Sequence, residues 1–491
     1  MKAAVFLSSV LVALALLNAC NLAPSYQKPA VQTPAAFKET NGWKQAQPRD
    51  AVLKGKWWES FNDPALNQLE ERVAISNQNI AAALENFMAA RAVVKQARSA
   101  YYPTLGVAPS VAKARQPNLN SSSSTTYTTY DLPAEASWEP DLWGSVRNTV
   151  RAAAYTAQAS AATLENMRLS AQAELAVDYF SLRGQDQMIR VFDDTVRAYE
   201  ESVSLTKTLY ETGIDSQLDE AQAEALLETV KAQAEALAIQ RAQYEHAIAL
   251  LLGQPASAFS LPAATNVTVL PPVPVGLPSA LLERRPDIAA AERAVAVANA
   301  QIGVARAAYY PTLSLTGSAG YESTSLSSLI SPPSFFWSVG SSLSETILDF
   351  GRRKGANEQA LANYRSTVAG YRQTVLTAFQ QVEDNLAALR ILSVETAQQD
   401  RAVQASQKSL DLSTDRYRLG VASYLNVITA QETLLGNQQT AVNIRTQQYT
   451  SSVQLILALG GGWSSADLPS TRKLILKSQP DGNTGTNSVA R

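Results

Sequence analysis

The chain of 491 residues has one cysteine, Cys20, and one histidine, His246. A lone cysteine excludes a disulfide framework. The single imidazole, beside Glu245 in an alanine-rich stretch, leaves no partner for a nucleophile or a metal cluster and reads as a surface or interface residue. Gly460-Gly461-Gly462 closes a helical stretch instead of opening one, so it does not form a phosphate cradle. No enzyme activity, metal or cofactor is therefore expected. Lys plus Arg is 41 against 43 Asp plus Glu, so no net field recruits nucleic acid or an anionic membrane surface. After the N-terminus no apolar run approaches the ~20 residues of a spanning helix. If this chain crosses a bilayer, it does so with strands. Proline is missing from 141–254 and again from 334–468.

The N-terminus carries Lys2, an apolar run from Ala3 to Leu17, and then Asn18-Ala19-Cys20. A charged start, a short apolar stretch and small residues before the cut describe an export signal over residues 1–19. Cys20 follows what resembles a bacterial lipobox, which implies diacylglycerol on its thiol and a lipid-anchored, palmitate-bearing terminus. Asn21 in place of Asp implies release to the outer membrane. An ordinary signal peptide with an incidental cysteine is the alternative. A single lipidated terminus adds membrane affinity but makes no channel.

Most of the remaining chain is written twice. Tyr101-Tyr102-Pro103-Thr104-Leu105 returns 208 positions later as Tyr309-Tyr310-Pro311-Thr312-Leu313. Gly144, Gly213 and Gly253 return 207 positions later as Gly351, Gly420 and Gly460. Such copies are too long for solenoid units and hold several elements each. The proline-free spans are rich in Ala, Gln, Glu, Leu and Arg and predict long helices over Ser145 to Glu211, broken only at Gly184, and Ser216 to Leu252. The matching spans are Arg352 to Arg418 and Ser423 to Leu459. Alanine favours helix but buries little area, so packing must come from close backbone approach along neighbouring rods; a coiled-coil stalk would show the same periodicity. Gly213 and Gly420 end one helix of each pair, and Ser216 and Ser423 cap the returning one. Shorter helices are expected over Ala65 to Ala100 and Ser279 to Ala308. The segments are therefore 20–64, an N-terminal arm; 65–260, the first copy, with a β-hairpin over 103–138 and helices over 145–252; 261–278, a proline-rich link; 279–460, the second copy, with a hairpin over 311–346 and helices over 352–459; and 461–491, a C-terminal segment with a flexible tail.

Each predicted hairpin alternates apolar and polar residues. Leu313, Leu315, Ala319 and Tyr321 fall on one face with Phe335, Trp337, Val339 and Leu343. In the first copy Leu105, Val107 and Val111 are matched by Tyr130, Leu132, Ala134, Ala136 and Trp138. The connections Pro117 to Tyr127 and Ser323 to Pro333 read as outer loops. Such segments are the pattern of outer-membrane strands, weak singly and stronger at four matching positions. Four strands cannot close a transmembrane barrel, which needs about 8, and an open edge in lipid leaves backbone groups unpaired at several kcal/mol each. Several chains must share one barrel.

The chain resembles the TolC-like outer-membrane efflux ducts, in particular the lipoprotein branch that serves resistance-nodulation-division pumps. The resemblance runs from Cys20 to about Trp463. It is carried by Glu139-Pro140-Asp141-Leu142-Trp143-Gly144, Glu283-Arg284-Arg285-Pro286-Asp287-Ile288, Ile302-Gly303-Val304-Ala305, Arg416-Tyr417-Arg418-Leu419-Gly420-Val421 and Gly460-Gly461-Gly462-Trp463. It implies a membrane α+β fold with two structural repeats per chain, in which a homotrimer forms a twelve-stranded outer-membrane β-barrel continued by a twelve-helix periplasmic α-barrel. It also implies passive export of small molecules, drugs or toxic compounds, with a periplasmic adaptor and an inner-membrane transporter as partners, and so antibiotic resistance.

Carried across by position, the adaptor-contact tips are Gly213, Ser216 and Leu218, with Gly420, Ser423 and Leu425; the same residues could merely cap helices. The periplasmic gate maps to Asp219, with Tyr417 as its partner, and to Asn426 and Thr429 where relatives often carry Asp. A neutral ring there implies weak cation selectivity. Asp219 could equally be a solvated carboxylate favoured by the helix dipole. Two rival readings are a duct for type I protein secretion and a non-channel periplasmic lipoprotein scaffold.

Overall fold

The computed structural model describes residues 21–40, 55–117, 124–264, 270–271 and 281–476. Cys20, the export signal, most of the proline-rich link, Ser121 to Ser123 of the first outer loop and the tail from 477 lie outside the described residues.

Asp63 opens the first helix, α1 (Pro64–Ser76), by accepting from the N–H groups of Ala65 and Leu66. Asn77 then ends α1 and starts α2 (Gln78–Ser99), its side chain accepting from Asn79 and Ile80. The stretch expected as one helix is thus two. Asn77 is buried, and its Nδ2 donates to the Leu251 carbonyl at 2.8 Å, which pins the break to the far end of the helical hairpin. Tyr-Tyr-Pro ends α2, and the chain turns into β1 (Thr104–Val107), β2 (Ser110–Pro117) and β3 (Ser124–Trp138). The sequence alternation predicts a single strand where β1 and β2 stand. Pro109 brings no N–H and interrupts it, but the register is kept: Val107 faces Ala134 and Val111 faces Tyr130. Both pieces form one column.

The long helices follow: α3 (Ser145–Glu211) and α4 (Gln217–Leu251) in the first half. The second half begins with α5 (Leu281–Arg284) and α6 (Pro286–Ala307), split at Arg285 because the residue before proline avoids helical backbone. Then come β4 (Thr312–Ser323), β5 (Phe335–Ser344), α7 (Arg352–Arg418), α8 (Tyr424–Ala458) and the short α9 (Thr471–Leu476). Both α3 and α7 have 67 residues, and both α4 and α8 have 35. At ~1.5 Å per residue the longer pair spans about 100 Å.

The expected break at Gly184 does not occur; α3 runs through it. A Cβ there would lie 2.2 Å from Oγ1 of Thr446 in α8. The glycine serves close approach between helices. Helices α2, α3, α6 and α7 lie side by side, with α4 and α8 packed on α3 and α7, and the alanines of α3 at 154, 157, 161, 162, 173 and 176 are buried. The main core lies where the N-terminal arm crosses these rods: Trp57, Trp58 and Phe61 join Phe180, Tyr371 and Phe379. Phe180 stacks on Tyr449 at 4.9 Å.

Two of the sequence motifs meet in one clamp. Arg285 makes a two-point contact with Asp287 and donates to Gln381 Oε1 at 2.8 Å and to the Ala458 carbonyl at 3.1 Å, so it caps α8. Gly460, at φ +90, lets the Arg284 carbonyl approach where a side chain would lie 2.2 Å from it. At the junction of sheet and helices Asp141 reaches past Gly144 to accept from Val146 and Arg147. Asp349 does the same past Gly351, accepting from Gly351 and Arg353. Trp143 stacks on Tyr310 at 4.8 Å and donates to the Pro311 carbonyl. Beside this junction the arm begins, with Asn21 Oδ1 accepting from Asn148 Nδ2 at 3.0 Å.

Candidate functional site

Two regions can act on solutes or partners: the sheet at one end of the rods and the hairpin tips at the other. In the sheet the column order is β1/β2, β3, β4, β5, all antiparallel, and β1/β2 and β5 are its edges. Directly opposed residues share a face. The register places Leu105 with Ala136, Leu132 with Tyr321, Trp138 with Leu315, Tyr321 with Phe335, Ala319 with Trp337 and Leu313 with Leu343. One face is thus apolar over all four columns. Its large side chains are open to the surroundings, with Leu105 79%, Trp337 71% and Val339 80% exposed. The opposite face carries Ser110, Asp131, Glu135, Ser318, Glu322, Ser338 and Ser342. All four connections to helices leave from one end of the sheet, and the strand ends that lead from β2 to β3 and from β4 to β5 lie at the other. The first outer loop is shorter than expected, because β2 continues to Pro117 and β3 starts at Ser124, whereas the second, over 324–334, keeps its expected length. No helix among the described residues is long and apolar enough to cross a membrane.

At the tips each hairpin turns in five residues. Gly213 (φ +74) and Gly420 (φ +70) take the left-handed backbone open to glycine. Ile214 N–H donates to the Leu209 carbonyl and Gly213 N–H to that of Tyr210; Val421 and Gly420 repeat this with Arg416 and Tyr417. The last carbonyls of α3 and α7 are so satisfied. Ser216 caps α4 by accepting from Asp219 N–H, and Ser423 caps α8 by accepting from Leu425 N–H. Leu218 and Leu425 project outward from the first turns, 63% and 59% exposed, beside exposed Ile214 and Val421.

Behind them the two tips are tied together. Tyr417 lies 5.2 Å from Tyr424, and both are buried with Ala223 and Val427 from α4 and α8. The expected partner of Tyr417 was Asp219; its hydroxyl donates instead to Asp215 Oδ2. Asp219 stands one turn further along and shares a hydrogen bond with Asp215. Burial, then that bond, then the charge of Asp215 push Asp219 up to about 6. Burial acts to raise Asp215 as well, but hydrogen bonds from Asp219, Tyr417 and the Ser216 N–H outweigh it and hold the group below the usual carboxylate range. Below about pH 6 the pair therefore holds one proton, on Asp219, with the charge on Asp215. Burial, followed by the bond to Asp215, raises Tyr417. Asn426 and Thr429 stand apart from this cluster, in a groove between α7 and α8 lined by Ser409, Ser413, Arg416 and Thr433. Asp215 was missed from the sequence because it precedes the capping serine and has no helical position of its own. An acid directly before an N-cap serine was the available sign.

The family model for outer membrane efflux proteins matches residues 69–254 and 277–461, one segment in each half. The chain is 32% identical to the probable efflux pump outer membrane protein TtgC of Pseudomonas putida over 462 residues, covering 93% of this chain and 96% of that one. It is 33% identical to the outer membrane protein OprJ of Pseudomonas aeruginosa, covering 94% and 97%. The solved outer-membrane channel OprN superposes with a TM-score of 0.84 at 29% identity over 90% of this chain and 100% of that one. The open state of the Neisseria gonorrhoeae MtrE channel gives 0.80 at 28% identity, over 91% and 99%. With matches in both halves and near-complete coverage of these relatives, the chain belongs to the outer membrane efflux protein family.

Proposed function

We propose that the chain is one protomer of a trimeric exit duct, in which three four-column sheets close a twelve-stranded barrel in the outer membrane and the helices continue it as a twelve-helix tube across the periplasm. The observation that supports this is the sheet itself. Its apolar face covers every column, its two edges lack partners among the described residues, and its helix-bearing end leads into rods about 100 Å long. Lipid chains would cover that face and the neighbouring protomers those edges. The polar face would line the lumen, and cargo would pass without chemistry, so substrate choice rests with the inner-membrane pump.

The relatives are named for efflux of toluene, solvents and antibiotics. This favours small molecules as cargo over secreted proteins, and the breadth of the exposed apolar face favours a membrane duct over a soluble scaffold. A lipid on Cys20 would hold the arm beside the junction where Asn21 meets Asn148. At the far end, Ile214 and Leu218 with Val421 and Leu425 offer apolar knobs to a periplasmic adaptor that bridges to a resistance-nodulation-division transporter. The tie between Asp215, Asp219 and Tyr417 would hold the hairpins of one protomer in a closed arrangement. Asn426 and Thr429 put neutral side chains in the groove at that end, which weakens the focusing of cations there. A detergent-solubilised particle with the mass of three chains, together with raised drug susceptibility in a deletion strain, is the expected result. A monomeric particle ends the barrel, and unchanged susceptibility ends the transport role.

A further inference from the structure

The near-zero net charge conceals a sorting by sign within the sheet. Its strands carry five charged side chains: Lys113, Arg115, Asp131, Glu135 and Glu322. Lys113 opposite Thr128 and Arg115 opposite Thr126 continue the row of Leu105, Val107 and Val111. Asp131 opposite Glu322, and Glu135 opposite Ser318, lie on the other face. Both cations are therefore on the apolar side and all three acids on the polar side. Lys113 and Arg115 are exposed, and among the described residues no ion pair engages either. Arg115 Nε donates to Ser124 Oγ at 2.6 Å, which holds the guanidinium against the ribbon.

Their height is as informative as their face. The apolar rows end in the aromatic residues Tyr130, Tyr321 and Phe335. Lys113 follows Val111 by two residues and Arg115 by four, about 7 and 13 Å further along the strand. That is the order of a bilayer profile from hydrocarbon through an aromatic girdle to headgroups. The turn between β4 and β5 carries serines and no charge over 323–334, so the first hairpin alone bears the feature.

We propose that Lys113 and Arg115, with the hydroxyls of Thr126 and Thr128 on the same face, bind the phosphate groups of anionic outer-leaflet lipid on the outside of the barrel. The proposal rests on the barrel reading above. Two cations and two hydroxyl donors match a phosphate, which accepts from both kinds of group. A zwitterionic or uncharged headgroup gains much less. The site would bring lipid to each first hairpin and fix the depth of the barrel in the leaflet.

The test uses the full-length protein purified in detergent. It is titrated with bis-phosphorylated lipid A and with dephosphorylated lipid A of the same acylation, and retained lipid is read by native mass spectrometry. Wild type should retain the phosphorylated lipid preferentially, with about fivefold from each cation, the equivalent of about 1 kcal/mol. Lys113→Gln should lower the preference about fivefold, and Lys113→Gln with Arg115→Gln should abolish it. A charge-transposed variant combines Lys113→Ala and Arg115→Ala with Ala112→Lys and Ala114→Lys; its net charge is unchanged, and it should also lose the preference because its cations face inward. Equal retention of the two lipids by wild type, or a preference surviving in either multiple variant, overturns the site. Heat-modifiable gel mobility reads the barrel separately. Its absence in wild type defeats the barrel reading, whereas its presence with equal lipid retention defeats the lipid site alone.

Discussion

Replacing Gly184 by alanine distinguishes two accounts of that glycine. Were it only a weak point in α3, alanine would stabilise the helix by about 1 kcal/mol. The geometry opposes this, since the new Cβ would lie 2.2 Å from Thr446 Oγ1, 2.9 Å from its Cγ2 and 3.1 Å from its Cβ. Rotating the threonine moves the first two atoms, breaks the 2.9 Å bond from its hydroxyl to the Val442 carbonyl, and leaves the third in place. Overpacking of this kind costs about 1–3 kcal/mol, which exceeds the gain in helix propensity over most of that range. Thr446→Ala removes the two nearest atoms, so Gly184→Ala in that background should recover its ordinary gain. The coupling between the two substitutions is expected at about 1–2 kcal/mol, within the range for residues in contact. The assay compares thermal midpoints of the helical circular dichroism signal for wild type, both single variants and the double variant in one detergent. Additive effects, or a stabilised Gly184→Ala protein, would refute the argument from close approach.

At the tip, Gly420→Arg should abolish drug export in a complemented deletion strain and leave the detergent particle's mass unchanged; loss of the particle instead would mean that these residues only shape the turn. Asp219 is raised in the folded chain, so its stabilising contribution is complete below the unfolded carboxyl value of about 4 and is lost as pH rises through about 6. Reconstituted wild-type channels should therefore open more often at pH 7 than at pH 5, and Asp219→Asn channels should respond little; an undiminished response in the variant would count against the shared proton. Amide replacement of Asp131, Glu135 and Glu322 should reduce whatever cation preference the duct shows, read as a smaller reversal potential under a salt gradient, because these acids share the polar face. An unchanged reversal potential would place the selecting charges elsewhere.

Local chemistry made much of this architecture legible. Gly144, Gly213, Gly351 and Gly420 mark helix ends because each takes positive φ, and Ser216 and Ser423 cap as their residue type predicts. The apolar face of the sheet was readable because strand alternation does not depend on the neighbour's identity. What escaped depends on partners distant in sequence. Gly184 looks like a helix breaker until Thr446 is placed against it. Asp215 is unremarkable until Tyr417 arrives from the other hairpin, and Asn77 breaks a helix because the end of α4 accepts its amide. Pro109 was visible, yet only the common register of β1 and β2 shows that it interrupts a column without ending it. The sorting of charge by face likewise needed the register of four strands together.

The rims of the sheet, unpaired among the described residues, also constrain how the molecule is made. Along β5, Phe335–Ser344, alternate residues turn their amide and carbonyl groups away from β4, and a solitary copy driven into hydrocarbon would strand them at several kcal/mol apiece. On the proposed shared barrel biogenesis has an order: copies meet before, or while, they enter the membrane. The yield of inserted material should climb more steeply than linearly with the amount synthesised, and copies made in excess should wait in the periplasm as uninserted single chains.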